Sequence, residues 1–535
     1  MSGEKARRGG ARAIMVQGTM SNVGKSLIAA GLCRALARRG LSVAPFKSQN
    51  MALNSGVTRD GREMGRAQVI QAHAAGVEPD VRMNPILLKP TSDTGSQVVV
   101  LGEPLAAMGA RRYAAFRRDL REVVASAYRE LAQGRDVMVI EGAGSPAEIN
   151  LNADDIVNMG MARMAHAPVI LVADIDPGGV FAQVVGTLEL LAPADRALVR
   201  GVVINKFRGD PEILAPGLGQ LEELTGVPVL GVVPYRRFDL GDEDSLSARL
   251  DAGARGAGEP ALPGCVDVAV VRLPHLSNFT DFDQLDRHPR ARVRYVDRAE
   301  ALGRPDLVVL PGTKATLDDL RWMRERGLDR CVRALAGQST PVIGICGGYQ
   351  MLGRELVDDL GNDGGGREEG LGLLPVVTEF SADKRMAQVT GRFDGGLAGA
   401  FSRLSGLPIE GYEVHMGRTR PQPSAGGRGG SGEHVRPAVL LGAGGDRPDG
   451  AALPTVMGTY VHGLFDARGV SSALVDALLE RRGLAPDAPE APDARAFEDR
   501  QLDLLADTLE RSLDMDALMG IIERGVDDEA RGETG

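Results

Sequence analysis

The stretch Pro341-Val342-Ile343-Gly344-Ile345-Cys346-Gly347-Gly348-Tyr349-Gln350 decides how the rest of the chain is interpreted. Its apolar run predicts a short buried strand that ends at Cys346, with glycines where a tight strand-to-helix turn needs them. A helix N-terminus after such a turn stabilises a thiolate, so Cys346 is a candidate nucleophile toward a carbonyl group. A buried core cysteine beside a loop is the alternative.

Composition narrows the possibilities for the whole chain. It has 535 residues, 43% hydrophobic and 25% charged, which are ordinary globular values and predict about three domains or two large ones. No apolar run is long enough to span a bilayer, so we expect a cytoplasmic protein that does not bind membranes. Four scattered cysteines predict neither disulfides nor a zinc site. A net charge of −10 argues against a general nucleic-acid surface.

A glycine-rich loop follows the first predicted strand, Ala13 to Val16. It runs from Gly18 to Gly24 and leads through Lys25 and Ser26 into a predicted helix. The backbone N–H groups of such a loop bind phosphate, the lysine neutralises its charge and the serine holds Mg²⁺. The loop is one residue longer than usual and resembles that of dethiobiotin synthetase-like ATPases. A chance glycine loop with a surface lysine is the alternative.

Acidic residues follow two other predicted strands. Glu141 ends the strand that begins at Asp136, and we predict that it binds Mg²⁺ directly or through water. The alternative is that Glu141 caps a helix N-terminus. Asp174 and Asp176 follow the strand Val169 to Ala173, and here too helix capping is the alternative to an active-site role.

Three polar segments carry a family resemblance. They are Lys47-Ser48-Gln49-Asn50-Met51-Ala52-Leu53-Asn54-Ser55, Gly61-Arg62-Glu63-Met64-Gly65-Arg66-Ala67-Gln68 and Asn84-Pro85-Ile86-Leu87-Leu88-Lys89-Pro90. Together they resemble the cobyric acid synthase family, glutamine-dependent enzymes that amidate side-chain carboxylates of the corrin ring. The resemblance implies ATP, Mg²⁺, glutamine and a corrin as ligands, and it favours Glu141 as a Mg²⁺ ligand. It also implies that Asn205 contacts adenine, although a strand-ending Asn equally suits a turn.

Several cations lie at or near the predicted strand ends of this region. They are Lys47, Arg59, Arg62, Arg66 and Lys89. As a cluster they suit a polycarboxylate substrate and nucleotide phosphates, with Lys47 the candidate for the substrate carboxylate or phosphate. Each cation singly is alternatively a solvated surface charge.

Glycine turns and histidines add candidates in the second half. Backbone N–H groups at Gly312 and Gly347 are predicted to point at one oxyanion beside the Cys346 sulfur. His275, in a further segment that resembles the family, is either a proton shuttle or a hydrogen-bonded structural residue. His415 lies in a segment that alternates like a strand, and we predict that it is structural.

The base that activates Cys346 is predicted to be His462, at the end of an apolar strand. This pair resembles class I glutamine amidotransferases, in which the Cys attacks the glutamine carboxamide and the His protonates the departing ammonia. Many of those enzymes have an acid two residues after the His, where this chain has Leu464. Either a Cys–His dyad suffices, or Asp466 or Glu413 orients the ring.

Alternating strands and helices predict an α/β fold with two doubly wound, mostly parallel-sheet domains and a C-terminal helical tail. The predicted boundaries are a flexible leader at 1–12, a P-loop ATP-dependent amide-ligase domain at 13–250, a linker at 251–264, a glutamine amidotransferase domain at 265–483 with a flexible insertion at 420–450, and a linker with the helical tail at 484–535. Leucines of the tail fall on one helical face, and we expect them to pack on the second domain.

Two other functions compete with a cobyric acid synthase-like activity. The nearer one is that of the cobyrinic acid a,c-diamide synthase family, which shares both domain types. The other is a regulatory P-loop ATPase with a glutaminase-like binding domain, against which the intact Cys346 and His462 argue. The carboxylates that are amidated, their order, the ammonia route and the oligomeric state, a homo-oligomer included, stay open.

Overall fold

The computed structural model describes residues 10–92, 95–109, 113, 116, 119–150, 155–241, 264–422, 435–486 and 490–526. The chain divides into two compact units. Unit 1 consists of Met1–Ala52, Glu63–Asp244 and Glu498–Gly535, and unit 2 consists of Leu53–Arg62 and Ser245–Phe497. The predicted leader up to residue 9 and the predicted linker up to residue 263 lie outside the described residues.

Twelve strands are described in the first 241 residues, and all but β4 belong to unit 1. In chain order they are β1 (Arg12–Gly18), β2 (Val43–Phe46), β3 (Gln49–Met51), β4 (Ser55–Val57), β5 (Glu63–Gly65), β6 (Ile86–Ser92), β7 (Gly95–Val100), β8 (Glu103–Gly109), β9 (Val137–Glu141), β10 (Val169–Asp174), β11 (Val199–Phe207) and β12 (Val229–Pro234). Six of them form one parallel sheet in the order β12-β11-β10-β1-β9-β2. Another four form a smaller sheet in the order β3-β6-β7-β8.

Continuous apolar runs explain the parallel sheet of unit 1. β9 and β10 are buried along their whole length, as expected of strands that helices cover on both faces. Among the described residues of unit 1, the helices before the tail are Lys25–Arg38, Arg66–Ala74, Arg121–Leu131, Met159–Ala165, Val180–Leu190, Pro193–Arg196 and Pro211–Thr225, with a 3₁₀ turn at Val81–Met83. Because parallel strands share one carboxyl edge, the loops after β1, β2, β9, β10 and β11 lie along the same edge of the sheet.

The C-terminal tail forms two helices, Ala494–Ser512 and Met515–Arg524. The prediction that its leucines pack on the second domain is wrong, because they join a core cluster with Ile28, Leu32 and Leu36 of unit 1. A Cβ added at Gly31 would lie 2.4 Å from Cδ1 of Leu509. The Leu509 side chain therefore packs closely on the helix Lys25–Arg38 because residue 31 is a glycine. The amphipathic pattern identified the buried face correctly and could not identify its partner.

Unit 2 contains a second, mostly parallel sheet and a mixed sheet. Its later strands are β13 (Val266–Val271), β14 (Ala291–Val296), β15 (Leu307–Leu310), β16 (Val342–Ile345), β17 (Glu355–Asp358), β18 (Gly366–Glu369), β19 (Val376–Phe393), β20 (Pro408–Pro421), β21 (Val439–Leu441), β22 (Arg447–Asp449), β23 (Ala451–Ala452), β24 (Val456–Thr459) and β25 (Val461–His462). One sheet has the order β14-β13-β15-β16-β24-β23, parallel except for β23. The other has the order β18-β17-β19-β20-β25, with β21 and β22 beside β19. In this sheet β17 and β19 are parallel and the other paired strands are antiparallel.

Among the described residues between 264 and 486, the helices of unit 2 have 4 to 12 residues, and the longest is Val470–Arg481. They are Asp283–Asp286, Ala299–Leu302, Thr316–Glu325, Leu328–Gly337, Gly347–Leu352 and Val470–Arg481, with 3₁₀ turns at Phe279–Phe282 and Gly399–Leu404. The prediction of a flexible insertion at 420–450 is wrong for its last part, since β21 and β22 are paired strands and Val439 is fully buried. Residues 423–434 of that segment lie outside the described residues.

The predicted α/β class with mostly parallel sheets and a helical C-terminus is confirmed. No helix in the described part of the chain is both long and apolar enough to cross a bilayer. All four cysteines carry free thiols.

Candidate active sites

Cys346 lies at the turn between β16 and the helix Gly347–Leu352. Its backbone has φ 51° and ψ −109°, a conformation that an L-residue rarely adopts. The Cys346 N–H donates to the carbonyl of Thr459 at 2.9 Å, which holds the strained turn against β24. The thiol donates to the Val414 carbonyl at 3.5 Å, and the residue is 7% exposed. This is the geometry of a nucleophile elbow, as the glycine spacing predicts.

His462 ends β25 and is hydrogen-bonded to an acid that sequence reasoning did not propose. Its Nδ1 lies 2.7 Å from Oδ2 of Asp281, and the other oxygen of Asp281 accepts the Gly463 N–H at 2.9 Å. Asp281 and His462 are 2% and 1% exposed, so the pair is screened little by solvent. The carboxylate fixes the ring orientation and places a proton on Nδ1, which leaves Nε2 for the reaction.

The charge state of His462 follows from this pairing. Burial alone lowers its pKa, but the Asp281 carboxylate and a hydrogen bond to Cys346 raise the pKa of His462 to about 10. The imidazolium is therefore the favoured form at neutral pH. An imidazolium beside a sulfur stabilises the thiolate and can donate a proton to a departing amine.

The two predicted oxyanion turns are close to this pair. A Cβ added at Gly312 would lie 2.8 Å from Cε1 of His462, and a Cβ added at Gly347 would lie 3.1 Å from the backbone nitrogen of Thr313. Gly347 is the first residue of its helix, so its N–H has no partner within that helix. The Gly312 and Gly347 turns thus flank Cys346 and His462, as expected of an oxyanion site.

The acids proposed from the sequence as partners of His462 have other contacts. Glu413 is fully buried and forms ion pairs at 2.8 Å with Arg385 and Arg447. Burial raises the pKa of Glu413, and the two arginines lower it by more. The backbone N–H of Asp466 donates to Gly463 in the turn after β25. Leu464 is buried. The third member of the triad therefore comes from Asp281 instead.

A signal for Asp281 was present in the sequence. The residue lies in the polar segment Leu273–Asp283 that follows β13, and β13 is two strands from β16 in the parallel sheet. Loops after parallel strands meet at one edge, so every acid in this segment was a candidate. Which of these acids lies beside His462 depends on the order of the strands in the sheet, and the sequence does not predict that order.

Two other histidines have structural partners. His275 Nδ1 lies 2.8 Å from Oδ1 of Asp319, and this hydrogen bond raises the pKa of His275. His415 Nδ1 lies 2.8 Å from the Gly417 carbonyl, and its ring stacks on Tyr460 with centroids 3.7 Å apart. Burial lowers the pKa of His415 to about 4, so this ring is neutral.

The predicted phosphate loop connects β1 with the helix Lys25–Arg38. Gly24 adopts φ 95° directly before the helix, a conformation that favours glycine. Lys25 Nζ donates to the carbonyls of Met20 and Gly144 at 2.9 and 3.1 Å. A Cβ at Gly18 would lie 3.0 Å from the same nitrogen, so the loop encloses the lysine ammonium.

Glu141 is the centre of a buried polar network at the end of β9. Its Oε1 accepts hydrogen bonds from Ser26 Oγ at 2.7 Å and from Lys47 Nζ at 2.6 Å, and its Oε2 accepts one from Gln71 Nε2 at 2.6 Å. Burial raises the pKa of Glu141, but Lys47, Gln71 and Ser26 together lower it, so the carboxylate is charged. No helix begins at Glu141, which excludes the capping alternative.

Asn205 and its neighbour hold the phosphate loop. Asn205 Nδ2 donates to the Val23 carbonyl at 2.7 Å, and Lys206 Nζ donates to the Asn22 carbonyl at 2.6 Å. Lys206 also pairs with Asp174 at 2.9 Å. The helix Val180–Leu190 begins after Gly179 without a side-chain cap from the described residues, so the capping alternative for Asp174 is wrong.

The other predicted substrate cations have partners within the chain. Lys89 pairs with Glu63 at 2.5 Å, and both are buried. Arg62 pairs with Asp60 at 3.3 Å, and Arg66 pairs with Glu498 at 3.7 Å. The solvated-charge alternative is thus wrong for Lys47 and Lys89, each of which is buried in an ion pair.

Comparison with known proteins identifies the family of both halves of the chain. Residues 14–241 match the family described as the CobQ/CobB/MinD/ParA nucleotide binding domain, and residues 267–470 match the CobB/CobQ-like glutamine amidotransferase domain. The cobyric acid synthase of Ruminiclostridium cellulolyticum is 49% identical over 517 residues, which are 97% of this chain and 98% of that protein. The cobyric acid synthase of Salmonella typhimurium is 50% identical over 518 residues, covering 96% of this chain and 99% of that protein. The predicted resemblance is confirmed, and the chain belongs to the cobyric acid synthase family.

Proposed function

We propose that the chain converts side-chain carboxylates of adenosylcobyrinic acid a,c-diamide to amides, with ATP as the activating agent and glutamine as the nitrogen donor, to give adenosylcobyric acid. The observation that carries the proposal is the Cys346–His462–Asp281 alignment in a chain whose other unit holds a phosphate loop. The relatives named cobyric acid synthase favour this product over that of a cobyrinic acid a,c-diamide synthase. A complete triad argues against a regulatory ATPase, whose binding domain needs no activated thiol.

The residues of unit 1 fit a nucleotide and Mg²⁺. A serine hydroxyl and a carboxylate 2.7 Å apart are the oxygen ligands that Mg²⁺ prefers, and Ser26 and Glu141 would hold it. Within the described ranges, no group of three or more His, Cys, Asp and Glu residues is placed to hold a metal ion. When bound, Mg²⁺ neutralises charge on the transferring phosphoryl group.

The same unit supplies the charges that a carboxylate needs for activation. A carboxylate does not react with ammonia at neutral pH, whereas an acyl phosphate does, because phosphate is a better leaving group than oxide. Lys25 would neutralise the nucleotide phosphates, and Lys47, whose Nζ lies 2.6 Å from Glu141, would bind the phosphoryl group or the substrate carboxylate. Asn205 holds the loop in place and, by family resemblance, contacts adenine.

The geometry of unit 2 supports a glutaminase reaction at Cys346. The Cys346 thiolate attacks the glutamine carboxamide carbon, and the N–H groups of Gly347 and the Gly312 turn stabilise the oxyanion. His462 then donates its Nε2 proton to the departing nitrogen, which leaves as ammonia, and a thioester remains on Cys346. Water, deprotonated by His462, hydrolyses the thioester to glutamate. Ammonia then displaces phosphate from the activated corrin carboxylate.

A single substitution separates the two activities. In Cys346→Ala we expect glutamine-dependent amide formation to be lost and ammonium-dependent formation to be retained, because only the nitrogen source is affected. Mass spectrometry of the corrin product would count the amides added in each case. Full glutamine-dependent activity of Cys346→Ala would contradict the proposal.

A further inference from the structure

Ten residues from the first half of the chain are part of the glutaminase unit. Leu53–Arg62 belong to unit 2, although they lie in the sequence between β3 and β5 of unit 1. Their first half is buried, with Asn54 and Ser55 2% and 1% exposed. We call residues 53–62 the inserted segment. The amidotransferase match begins only at residue 267, so the inserted segment lies outside it.

Backbone groups of the inserted segment hydrogen-bond to other residues of unit 2. The Ser55 N–H donates to Oδ1 of Asn278 at 3.2 Å, and the Ser55 carbonyl accepts from the Tyr412 hydroxyl at 3.1 Å. The Val57 carbonyl accepts a hydrogen bond from Gln388. Because both backbone groups of Ser55 are used, its position is fixed relative to Asn278 and Tyr412.

The two side chains that hold Ser55 also touch the catalytic histidine. Asn278 Nδ2 lies 3.4 Å from each ring nitrogen of His462 and so lies against the ring. The Tyr412 ring stacks on the imidazole with centroids 5.3 Å apart and an angle of 20° between the planes. Asn278 also precedes the 3₁₀ turn that carries Asp281. A displacement of Ser55 would therefore shift two side chains that contact the ring of His462.

We propose that the inserted segment is a positioning element for His462 and couples glutamine hydrolysis to ligand binding in unit 1. This inference rests on the proposed function, since it needs both activities in one chain. At one end, residues 48–52 connect the inserted segment to Lys47, whose ion pair with Glu141 a metal ion or a phosphoryl group would replace. At the other end it continues directly into Glu63, which is held by Lys89.

Covalent continuity gives the coupling its physical basis. Ligand binding at Lys47 and Glu141 would give Lys47 a new partner, and Ser55 follows Lys47 by eight positions in the sequence. A two-state element that both sites bias is the requirement for such coupling. If the segment only filled space in unit 2, changes in it would lower glutamine hydrolysis by the same factor with and without ligands.

The experiment uses the full-length protein and variants of both links. Tyr412→Phe removes the hydroxyl that binds the Ser55 carbonyl and keeps the stacked ring, whereas Ser55→Pro removes the N–H that binds Asn278. Ser55→Ala keeps both backbone groups and is the matched control. Initial rates of glutamine hydrolysis are measured with and without ATP, Mg²⁺ and the corrin acceptor, and kcat and KM for glutamine are separated. Ammonium-dependent amide synthesis is measured in parallel.

We expect ligands to stimulate glutamine hydrolysis in the wild type and in Ser55→Ala. In Tyr412→Phe the stimulated kcat should fall by about twofold to tenfold, the effect of one neutral hydrogen bond, with a smaller change in the unstimulated rate. Ser55→Pro should lose more of the stimulation, and ammonium-dependent synthesis should stay the same in all variants.

Three results would overturn the inference. They are a wild type without ligand stimulation, a Tyr412→Phe variant that is stimulated like the wild type, and equal losses with and without ligands. If Ser55→Pro does not fold, Tyr412→Phe alone decides between these outcomes. Failure of the wild type to form amides from ammonium, ATP and the corrin would instead contradict the proposed function, so the two failures are distinguishable.

Discussion

Replacement of Asp281 by Asn tests the triad without a change in side-chain shape. The Asn carbonyl can still accept the Gly463 N–H, which Asp281 accepts at 2.9 Å. The amide NH₂ would then face Nδ1 of His462, where the carboxylate oxygen now lies 2.7 Å away. Because an NH₂ group only donates, Nδ1 must become the acceptor and the proton must move to Nε2. That is the wrong tautomer for deprotonating a thiol.

The expected loss is large because the histidine loses the tautomer that the reaction needs. In a Ser-His-Asp triad, replacing the orienting Asp by Asn lowers kcat by about 10⁴, because the histidine takes the wrong tautomer. General acid–base catalysis by a positioned histidine contributes a factor of about 10²–10⁴. We therefore expect kcat for glutamine hydrolysis to fall by about 10²–10⁴ in Asp281→Asn.

The pH dependence of the reaction should change in a defined direction. In the wild type Asp281 and Cys346 raise the pKa of His462 to about 10, so the imidazolium persists until the pH approaches that value. Without the carboxylate, burial lowers this pKa, and the imidazolium is lost at lower pH. The alkaline limb of the kcat profile should therefore move to lower pH.

Steady-state glutamine hydrolysis from about pH 6 to about pH 10 would measure both effects. Ammonium-dependent amide synthesis serves as the internal control, because it needs an intact unit 1 and no triad. Asp466→Asn is the matched variant, since Asp466 is the acid nearest to His462 in sequence and lies in the turn after β25. An unchanged rate and pH profile in Asp281→Asn, or a larger loss in Asp466→Asn, would refute the reasoning.

Three further predictions concern other parts of the chain. In Glu141→Gln, ADP release during ammonium-dependent synthesis should fall by about 10²–10³ because the charge of the proposed Mg²⁺ ligand would be lost, while unstimulated glutamine hydrolysis should persist. Leu509→Ala should lower the free energy of unfolding by about 2–5 kcal/mol in a denaturant titration, whereas Asp507→Ala, which removes only a surface ion pair, should cost less than about 1 kcal/mol. Gly312→Ala should reduce glutamine hydrolysis and spare ammonium-dependent synthesis, because the added Cβ would lie 2.8 Å from the His462 ring; equal losses of both activities would indicate misfolding instead.

Local sequence patterns were sufficient where one segment carries the whole feature. The apolar run before Cys346 and the glycines after it contain the strand, the turn and the helix start, and the structure has them as predicted. The same is true of β1, the glycine loop and the helix after Lys25. In both cases a tight turn at a strand end leaves few backbone conformations, so residue types reveal the geometry.

Contacts between residues that are far apart in the sequence could not be predicted from local patterns. Asp281 and His462 are separated by 181 residues and meet because β13, β15, β16 and β24 are adjacent in one sheet. Expecting the acid near His462 in sequence led to Asp466 and Glu413, which have other contacts. Strand order is decided by packing of the whole unit, and no local pattern encodes it.

The two compact units do not coincide with the two halves of the sequence on either side of the predicted linker. The linker predicted at 251–264 suggests that an amide-ligase domain could end before it, yet unit 1 also contains Glu498–Gly535. The face of the helix Lys25–Arg38 that carries Ile28, Leu32 and Leu36 is covered by leucines of this tail. A protein that ended at the linker would expose that apolar face, and a separate second half would lack the segment that holds Asn278 and Tyr412. Each unit thus contains residues from the other half of the sequence: the tail covers an apolar face in unit 1, and the inserted segment binds Asn278 and Tyr412 in unit 2.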